Sequence, residues 1–267
     1  MIAGVFSEHA FADRSVVVTG GGSGIGREIA LAFARCGADL VLASRKLDNL
    51  ERAAAEIRAL GRRAFAVQTN VREAADCQRM AETAVRELGK IDVLINNAGA
   101  NFACPAAAIT PNGWRTIVDV VLSGSFLAAQ ACARFMMERR AGRIVSIAAT
   151  NGMTASPVIA PSGAAKAGLI NLTRTLAVEW APFGITVNAV SPGAVDTAGA
   201  SERIFPEAAK QAIAKATPLG RMAAPADCVG AVLFLASDGA AFVTGANLVV
   251  DGGAMLPQLP RFLGASE

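Results

Sequence analysis

A glycine-rich stretch near the start of the chain has the composition of a phosphate-binding turn. The letters TGGGSGIG place Gly20, Gly24 and Gly26 between a β-branched run (14–20) and an amphipathic stretch. In such a turn the first glycine lets the chain bend off a strand, and the second lets backbone approach a phosphate. The third lets helix and strand pack closely. The free N–H groups and the positive dipole end of the following helix favour an anion, so the spacing predicts a dinucleotide pyrophosphate site.

The end of the second β-branched run carries residues that would distinguish two dinucleotides. An Asp or Glu at this place accepts hydrogen bonds from the ribose 2′-hydroxyl and repels a 2′-phosphate. This chain has Ser44, Arg45 and Lys46 there. An arginine can fork onto a phosphate, and a serine hydroxyl can assist it. The residues therefore predict NADP(H) as the cofactor.

These residues need a framework of strands and helices to position them. Seven short apolar runs read as strands: RSVVVTG, DLVLASRK, RAFAVQTNV, IDVLINNAG, GRIVSIAA, ITVNAVSPG and GANLVVDGG. Helical stretches separate most of them, the longest from about Gly113 to Arg139. Such alternation predicts a parallel sheet covered on both faces. We expect a single α/β domain (1–267, core about 11–255) with a Rossmann fold and a doubly wound, seven-stranded parallel sheet.

Composition and charge exclude several classes of function. The chain of 267 residues is 53% hydrophobic and 18% charged, which indicates a compact globular protein. Its net charge of +3 comes from basic residues spread along the chain, which argues against a nucleic-acid partner. No apolar run approaches the roughly 20 residues that span a bilayer, and no signal peptide is evident. We expect a cytoplasmic enzyme without a membrane partner.

Cysteine and histidine usage argues against disulfides and against a metal site. The five cysteines form no C-x-x-C pair and read as buried thiols in a reducing compartment. His9 is the one histidine of the chain, and no Cys/His cluster accompanies it. A zinc dehydrogenase is thereby disfavoured, and no metal ligand is predicted.

Five motifs in one order resemble the short-chain dehydrogenase/reductase family. They are TGGGSGIG, NNAG (96–99), SGAAKAGLINLTRTLAVEW, SPGAVDT (191–197) and VTGANLVVDGG (243–253), and the match runs from about Phe11 to Met255. The resemblance implies that the NNAG residues line the adenosine side and that Lys166 holds the nicotinamide ribose. The expected cofactor contacts are Gly20, Ser23, Gly24, Ile25, Gly26, Ser44, Arg45, Lys46, Asn70 and Val71 by the adenine, Asn96, Asn97, Ala98, Gly99, Lys166, and Pro192, Gly193, Val195 and Thr197 at the nicotinamide end.

The catalytic set usual in this family, Asn, Ser, Tyr and Lys, is incomplete here. Counted from Lys166, the tyrosine position holds Ser162, the serine position Ala149 and the asparagine position Val121, and the chain contains no tyrosine. Tyrosine, with a pKa near ~10 that a lysine cation can lower, protonates the alkoxide formed when hydride reaches a ketone. Serine is a far weaker acid, so ordinary ketone–alcohol interconversion should be badly impaired.

Three interpretations of this site remain open. Reduction of a carbon–carbon double bond conjugated to a thioester gives an enolate, which needs preorganised donors at oxygen more than a strong acid. Ser162, Lys166 acting through the ribose, and a donor near Thr150 and Asn151 could serve. A second interpretation is a slow carbonyl reductase that uses Ser162 or a chain of waters. The third is a scaffold that binds NADP(H) without catalysis.

A second resemblance favours double-bond reduction. VLASRKLDNL, NNAGANF and PSGAAKAGLINLTRTLAVEWAPFGI look like the enoyl-CoA and 2,4-dienoyl-CoA reductases, a branch that lacks the usual tyrosine and uses NADPH. The resemblance implies that Asn101 and Phe102 lie near the acyl chain of an acyl-CoA thioester. The dienoyl-CoA enzymes place a tyrosine fifteen residues before the lysine, where this chain has Asn151, and their helix asparagine corresponds best to Ser123. The 2-enoyl-CoA reductases match more closely at SGAAK. The candidate catalytic residues are Lys166, Ser162, Asn151 and Ser123.

Two further features concern the substrate and the assembly. The segment between Thr197 and Pro225 corresponds to a mobile lid in the family. Its cations could meet the phosphates of coenzyme A: Arg203, Lys210, Lys215 and Arg221. The long helix carries an apolar stripe, and the family usually pairs it and the lysine-bearing helix between subunits, which predicts a homotetramer.

Overall fold

The seven predicted strands form one parallel sheet. The computed structural model describes residues 6–197 and 206–256. Its strands follow the order β3-β2-β1-β4-β5-β6-β7. Their bounds are β1 Ser15–Thr19, β2 Asp39–Ser44, β3 Ala64–Gln68, β4 Val93–Asn96, β5 Gly142–Ile147, β6 Ile185–Pro192 and β7 Asn247–Val250. The predicted α/β class and the seven-stranded sheet are confirmed.

Helices connect the strands and end where the local sequence requires it. They are α1 Gly24–Arg35, α2 Leu47–Ala59, α3 Ala74–Leu88, α4 Pro111–Val118, α5 Gly124–Arg139, α6 Ala160–Trp180, α7 Glu207–Ala216 and α8 Val229–Ala236. At the start of α4, the Thr110 hydroxyl accepts a hydrogen bond from the Gly113 amide (3.0 Å). α3 ends at Gly89, whose φ of 82° is the left-handed conformation that commonly terminates helices.

The sheet is buried on both faces, and alternate strand residues face opposite layers. Val16 and Val18 of β1 pack in one layer with α1, α2 and α8. Val17 packs in the other layer with α3, α5 and the second half of α6. Successive side chains of a strand point to opposite faces, so a strand buried on both must be continuously apolar, as β1 and β2 are. The doubly wound arrangement is confirmed.

The predicted long helix is continuous but not uniform. Between α4 and α5, Asp119–Ser123 forms a π-helical turn, which the sequence pattern did not predict. Contrary to the prediction that no apolar stretch could span a bilayer, Pro111–Arg139 is long and apolar enough by length and composition. However, 56% of its most apolar window is buried inside the protein. We therefore interpret Pro111–Arg139 as a core helix of the fold.

The strand order creates a crevice at one edge of the sheet. The chain runs outward from β1 through β2 to β3, then returns so that β4 pairs with β1 on the other side. At such a point the connections leaving the two central strands diverge, and ligands of open α/β sheets bind outside the carboxyl ends. The glycine-rich turn follows β1 and the NNAG residues extend from β4, so both lie at this crevice.

Candidate active site

The glycine-rich turn after β1 is built on close backbone contacts. A Cβ atom on Gly26 would lie 2.4 Å from the Gly20 carbonyl oxygen and 2.4 Å from Nδ2 of Asn97. Gly20 itself has a φ of 67°, and a Cβ there would lie 2.8 Å from the same Asn97 nitrogen. Side chains at either position would separate α1 from β1 and from the loop after β4. The glycines therefore hold the start of α1 against the crevice.

The first turn of α1 suits an anion. Ser23 is the exposed N-cap residue, and its side chain makes no capping hydrogen bond. No acidic residue lies in the first turn, so the helix N–H groups and the dipole face no competing carboxylate there. Across the turn, the position of a Cβ on Gly24 lies 3.6 Å from a methyl carbon of Thr197. These features fit a dinucleotide pyrophosphate between the α1 N-terminus and the segment after β6. Ile25, in the same turn, is partly buried against the core.

A threonine and an asparagine tie the ends of β1 and β4 together. The Thr19 hydroxyl accepts hydrogen bonds from the backbone amides of Asn97 and Ala98, both at 3.0 Å. The side-chain amide of Asn97 donates to the Thr19 carbonyl at 3.0 Å. Thr19 was not among the predicted site residues, although its place directly before Gly20 was a usable signal. Gly99 directly follows Ala98 and is exposed to solvent.

The structure places the Asn96 side chain inside the fold. Its side chain is 3% exposed, and its amide donates to the Ser125 carbonyl of α5 at 3.0 Å. It lies inside the fold because it is the last residue of β4 and faces the neighbouring helix layer. Asn96 thus joins the end of β4 to α5, and its place on the adenosine side stays a prediction.

The predicted 2′-phosphate residues lie beside the glycine-rich turn. A Cβ on Gly22 would lie 3.0 Å from the Asn49 backbone, so the turn contacts the start of α2. Arg45 and Lys46 are exposed directly before that helix, and neither makes an ion pair with another described residue. Ser44 is half-buried, and its hydroxyl oxygen accepts from the Lys46 amide at 3.3 Å. Two cations are therefore available there to an anionic ligand.

The residues predicted by the adenine lie after β3. The backbone N–H of Asn70 donates to a carboxylate oxygen of Asp76 at 2.8 Å. That hydrogen bond, followed by the Arg79 ion pair, holds the pKa of Asp76 below its usual range. Val71 is buried, and a Cβ on Gly124 would lie 2.6 Å from its methyl carbon. Asp76 was not predicted, and it fixes the loop that carries Asn70.

The segment after β6 closes the crevice from the other side. The Gly193 amide donates to the Val250 carbonyl of β7 at 3.0 Å, directly after the buried Pro192. Val195 forms an isolated parallel bridge with Ala223 and is 8% exposed. The same segment carries Thr197, whose methyl group lies next to Gly24 of the glycine-rich turn. The structure thus brings the two predicted halves of the cofactor site together.

Lys166 lies on the first half of α6 and faces the end of β5. Its ammonium donates a hydrogen bond to the carbonyl of Ile147, the last residue of β5. Burial lowers the pKa of Lys166 to about 8, because desolvation disfavours the charged form. The Lys166 ammonium therefore lies at the carboxyl ends of the strands, and it loses its proton at a lower pH than an exposed lysine does.

Ser162 lies one helical turn before Lys166 and meets Asn151. Ser162 is 5% exposed, and its Oγ lies 3.3 Å from Nδ2 of Asn151. Asn151 belongs to the short 3₁₀ turn Thr150–Gly152 that follows β5. A Cβ on Gly152 would lie 2.7 Å from the carbonyl carbon of Lys166, so glycine lets this turn lie directly on α6. Gly152 was not predicted, although its place after Asn151 in a turn was a possible signal.

Apolar side chains occupy the remaining family positions. Val121 is 1% exposed in the π-turn and packs in a cluster with Ile117 and Ala165. Ala149 caps the turn that carries Asn151 and presents only a methyl group. Ser123 lies at the end of the π-turn, and no hydrogen bond joins it to Lys166, Ser162 or Asn151 among the described contacts. Three of the four catalytic candidates are therefore brought together, and Ser123 stays a prediction.

The cysteines are placed mostly as expected. Cys36, Cys77, Cys132 and Cys228 are buried, whereas Cys104 is partly exposed, contrary to the prediction of five buried thiols. Burial raises the pKa of Cys77 to about 11 and that of Cys228 to about 12. Within residues 6–197 and 206–256, no group of three or more His, Cys, Asp or Glu side chains could hold a metal ion.

Comparison with known proteins places the chain in a family. Residues 20–255 match the family described as enoyl-(acyl carrier protein) reductase. A Bacillus subtilis protein assigned as a 2,4-dienoyl-CoA reductase is 38% identical over 250 residues, 92% of this chain and 98% of that protein. A 3-oxoacyl-[acyl-carrier-protein] reductase of Synechocystis is 36% identical over 249 residues, 92% of this chain and 99% of that protein.

A solved structure agrees with these matches. A protein from Sinorhizobium meliloti described as a short-chain alcohol dehydrogenase superposes with a TM-score of 0.90 at 35% identity, covering 94% of this chain and all of that one. With the glycine-rich turn, the crevice and the lysine of α6 in place, the chain belongs to the short-chain dehydrogenase/reductase family of oxidoreductases, whose Rossmann fold binds a nicotinamide dinucleotide.

Proposed function

We propose that this protein is an NADPH-dependent reductase of carbon–carbon double bonds in acyl-CoA thioesters, of the enoyl-CoA or 2,4-dienoyl-CoA class. The observation that carries the proposal is the composition of the site around Lys166. The lysine is present, but Ser162, Ala149 and Val121 stand where the family has Tyr, Ser and Asn. The name of the Bacillus subtilis relative supports the same substrate class.

The reaction chemistry fits a site without a phenol. The cofactor, when bound, supplies the hydride that converts an unsaturated thioester into an enolate. The enolate oxygen is less basic than an alkoxide, so it needs fixed hydrogen-bond donors and nearby positive charge more than a strong acid. Lys166 provides the charge at the end of β5 and would hold the nicotinamide ribose. Carbon can then take its proton from water.

The surroundings of the site fit an acyl chain. Phe102, Val118 and Leu122 are partly buried and pack against the apolar cluster that contains Val121. A Cβ on Gly113 would lie 3.2 Å from the Phe102 ring, so this ring lies against the start of α4. Apolar pockets with few polar groups are typical of sites for hydrocarbon ligands. We therefore assign the acyl chain to the surface between α4 and α6.

The basic residues of the lid segment support coenzyme A less than the sequence suggested. Arg203 lies outside the described residues. Lys210 is paired with Asp196 at 3.2 Å. Arg221 is paired with Asp227, and their Nη2 and Oδ1 atoms lie 2.9 Å apart. Both carboxylates would have to release their partners before these cations could bind a phosphate, which leaves the exposed Lys215 as the most available candidate.

The proposal is tested by comparing three substrates side by side. Loss of NADPH absorbance is followed with a trans-2-enoyl-CoA, a 2,4-dienoyl-CoA and a 3-oxoacyl-CoA, each repeated with NADH. Turnover of an unsaturated thioester but not of the ketone is the expected result, and it shows which branch applies. Turnover of the ketone alone would favour the carbonyl reductase, which the name of the Synechocystis relative supports. NADPH binding without turnover of any of the three would favour a scaffold.

The cofactor preference has its own test. Arg45→Ala is expected to weaken NADPH binding about tenfold or more, since a charge-assisted hydrogen bond is worth about 1.5–3 kcal/mol. NADH binding should stay unchanged, because NADH lacks the 2′-phosphate. Both affinities can be measured by nicotinamide fluorescence. Arg52→Ala, which removes an exposed arginine inside α2, is the matched control. Equal affinities of Arg45→Ala and the native protein for NADPH would contradict the assignment.

We also propose a cytoplasmic homotetramer. The four buried thiols suit a reducing compartment. Half-buried apolar side chains remain on α5, among them Phe126, Leu127 and Phe135, as an interface between subunits would require. Light scattering of the purified protein measures the assembly directly, and fractionation of expressing cells measures the location.

A further inference from the structure

One polar atom of the Asn151–Ser162 pair has no hydrogen-bond partner among the described residues. Nδ2 of Asn151 lies 3.3 Å from Ser162 Oγ, while Oδ1 of the same amide is buried and has no hydrogen-bond partner among the described residues. A buried polar atom without a partner destabilises the folded protein, because it has lost its hydrogen bonds to water. The turn is nevertheless held firmly on α6 by Gly152. A ligand that reaches this atom would remove the cost.

The chemistry of the ligand decides which way the amide faces. The oxygen and nitrogen of an asparagine amide exchange places by a half-turn of the side chain. With Nδ2 on Ser162, the free atom is an acceptor. With Oδ1 on Ser162, the serine hydroxyl donates to it and the free atom becomes an N–H donor. A thioester or enolate oxygen can only accept, so it selects the second arrangement.

We propose that Asn151 is the oxyanion donor of this enzyme, with its side-chain N–H groups directed at the thioester oxygen and its Oδ1 held by the Ser162 hydroxyl. Asn151 is then a catalytic residue, and Ser162 a positioning residue that acts through it. The inference rests on the proposed function and refines it. It differs from the expectation that Ser162 itself contacts the substrate.

The neighbouring residues leave this role to Asn151. Val121 and Ala149 offer no side-chain donor, and the proposed function directs the Lys166 ammonium at the nicotinamide ribose. The donor stays within about one helical turn of the lysine, because Ser162 and Lys166 are on the same face of α6. One amide and one cation at the same edge of the sheet can share the charge of an enolate.

The first test measures oxyanion stabilisation without turnover. Acetoacetyl-CoA is added to the protein saturated with NADP⁺, and its enolate is followed by near-ultraviolet absorbance as pH is raised. The native protein is expected to lower the apparent pKa of the bound probe by about one unit or more. Asn151→Leu should lose most of that shift, and Asn151→Asp should lose it entirely because its carboxylate repels the enolate, whereas Ser162→Thr should retain most of the shift.

The second test uses kinetics and a matched control. With an unsaturated thioester, Asn151→Asp should lower kcat about 100-fold or more, as loss of an oxyanion donor does in other enzymes. Ser162→Ala should lower it about tenfold, because the amide loses its preferred orientation. NADPH affinity should not change. Ser156→Ala, which removes an exposed hydroxyl from the same loop, should behave as the native protein.

The outcomes separate this inference from the proposed function. A native protein that shifts the probe but turns over no unsaturated thioester would retain the donor and refute the proposed reaction. The inference is overturned if the native protein leaves the probe unshifted or unbound, or if both Asn151 variants shift it as the native protein does. A loss in Ser162→Ala as deep as in Asn151→Leu, with no loss in Asn151→Asp, would make Ser162 the donor.

Discussion

The buried ammonium of Lys166 carries a charge that ordinary assay conditions can remove. Its pKa is lowered to about 8, so the group is charged below that pH and neutral above it. A neutral amine can neither attract an enolate nor donate as strongly to the ribose. We therefore expect kcat/KM for reduction to fall as pH rises through about 8, in a profile measured with saturating NADPH.

An arginine at the same position is the control for this assignment. Lys166→Arg keeps a positive charge throughout the range, because a guanidinium does not lose its proton in proteins. The variant should be slower, since the larger head group fits the Ile147 carbonyl poorly, but its alkaline decline should disappear. A decline at pH 8 that persists in Lys166→Arg would assign it to another group.

The glycine-rich turn predicts a sharp difference between two glycines. Gly26→Ala introduces a Cβ 2.4 Å from the Gly20 carbonyl oxygen, so α1 must move away from β1. We expect destabilisation of about 1–3 kcal/mol and at least a tenfold loss of NADPH affinity, measured by thermal unfolding and fluorescence titration. Gly230→Ala in α8 meets nothing within 4 Å and should be neutral or stabilising. Similar losses in both variants would show that the close contact is unimportant.

Individual residues differed in how well they could be predicted. The glycine-rich turn and Lys166 belong to short sequence motifs whose role depends on neighbouring residues. Their positions at the crevice could therefore be predicted from the sequence. The contact of Asn151 with Ser162 depends on Gly152 lying against α6, a tertiary approach that no spacing encodes. The hydrogen bond from Asn96 to α5 was not predicted, because a residue at the end of a buried strand can face either layer.

At the scale of elements, the connection from β5 to α6 contains a strained residue. Val158 has a φ of 58°, in the left-handed region that β-branched residues rarely adopt. Its carbonyl accepts a hydrogen bond from the Cys104 amide at 2.7 Å, which joins the loops after β4 and β5. Backbone strain of this kind costs about 1–3 kcal/mol and is commonly found beside functional sites.

A glycine at this position should relieve the strain. Val158→Gly is expected to raise the free energy of unfolding by about 1 kcal/mol, after the greater freedom of glycine in the unfolded chain is subtracted. Val178→Gly, at an exposed position inside α6, should instead lower it. Denaturant melts of the two variants give the sign of each change. Destabilisation in both would mean that Val158 is not strained.

Most elements could be predicted because the sheet is buried on both faces and its strands are continuously apolar. The π-turn between α4 and α5 could not be predicted. A helix with one extra residue in a turn has the same kind of amino-acid composition as a regular helix. The cofactor-binding edge followed from the order of strands and helices. The shape of the surface proposed for the acyl chain could not be predicted, because Phe102 and Val121 lie on separate segments of the chain.

At the scale of the whole molecule, apolar side chains remain exposed around the last strand of the sheet. The Phe242 side chain is fully exposed, and Leu248 and Val249 of β7 are each more than a third exposed. Within residues 6–197 and 206–256, β7 pairs only with β6, so its other edge has no partner strand there. Open edges and exposed aromatic side chains are typical of surfaces between subunits.

A charge on this surface should weaken the assembly. If the protein is the proposed tetramer, Phe242→Asp is expected to shift it towards a smaller species in light scattering, because a carboxylate at a buried interface must be desolvated. Leu60→Asp, at an exposed position after α2, should leave the mass unchanged. If Phe242→Asp assembles as the native protein does, the interface lies elsewhere.

The π-turn at Asp119–Ser123 gives one long helix two packing registers. Before it, Ile117 faces the lysine-bearing helix; after it, Ala128 and Cys132 face α3. A regular α-helix advances each residue by about 100°, so removing one residue from the turn would rotate everything beyond it by that angle. A change of length at this turn would therefore exchange the surfaces of α5, whereas a substitution would alter only one contact. We expect chain length to be more tightly constrained than residue identity at this point of the fold.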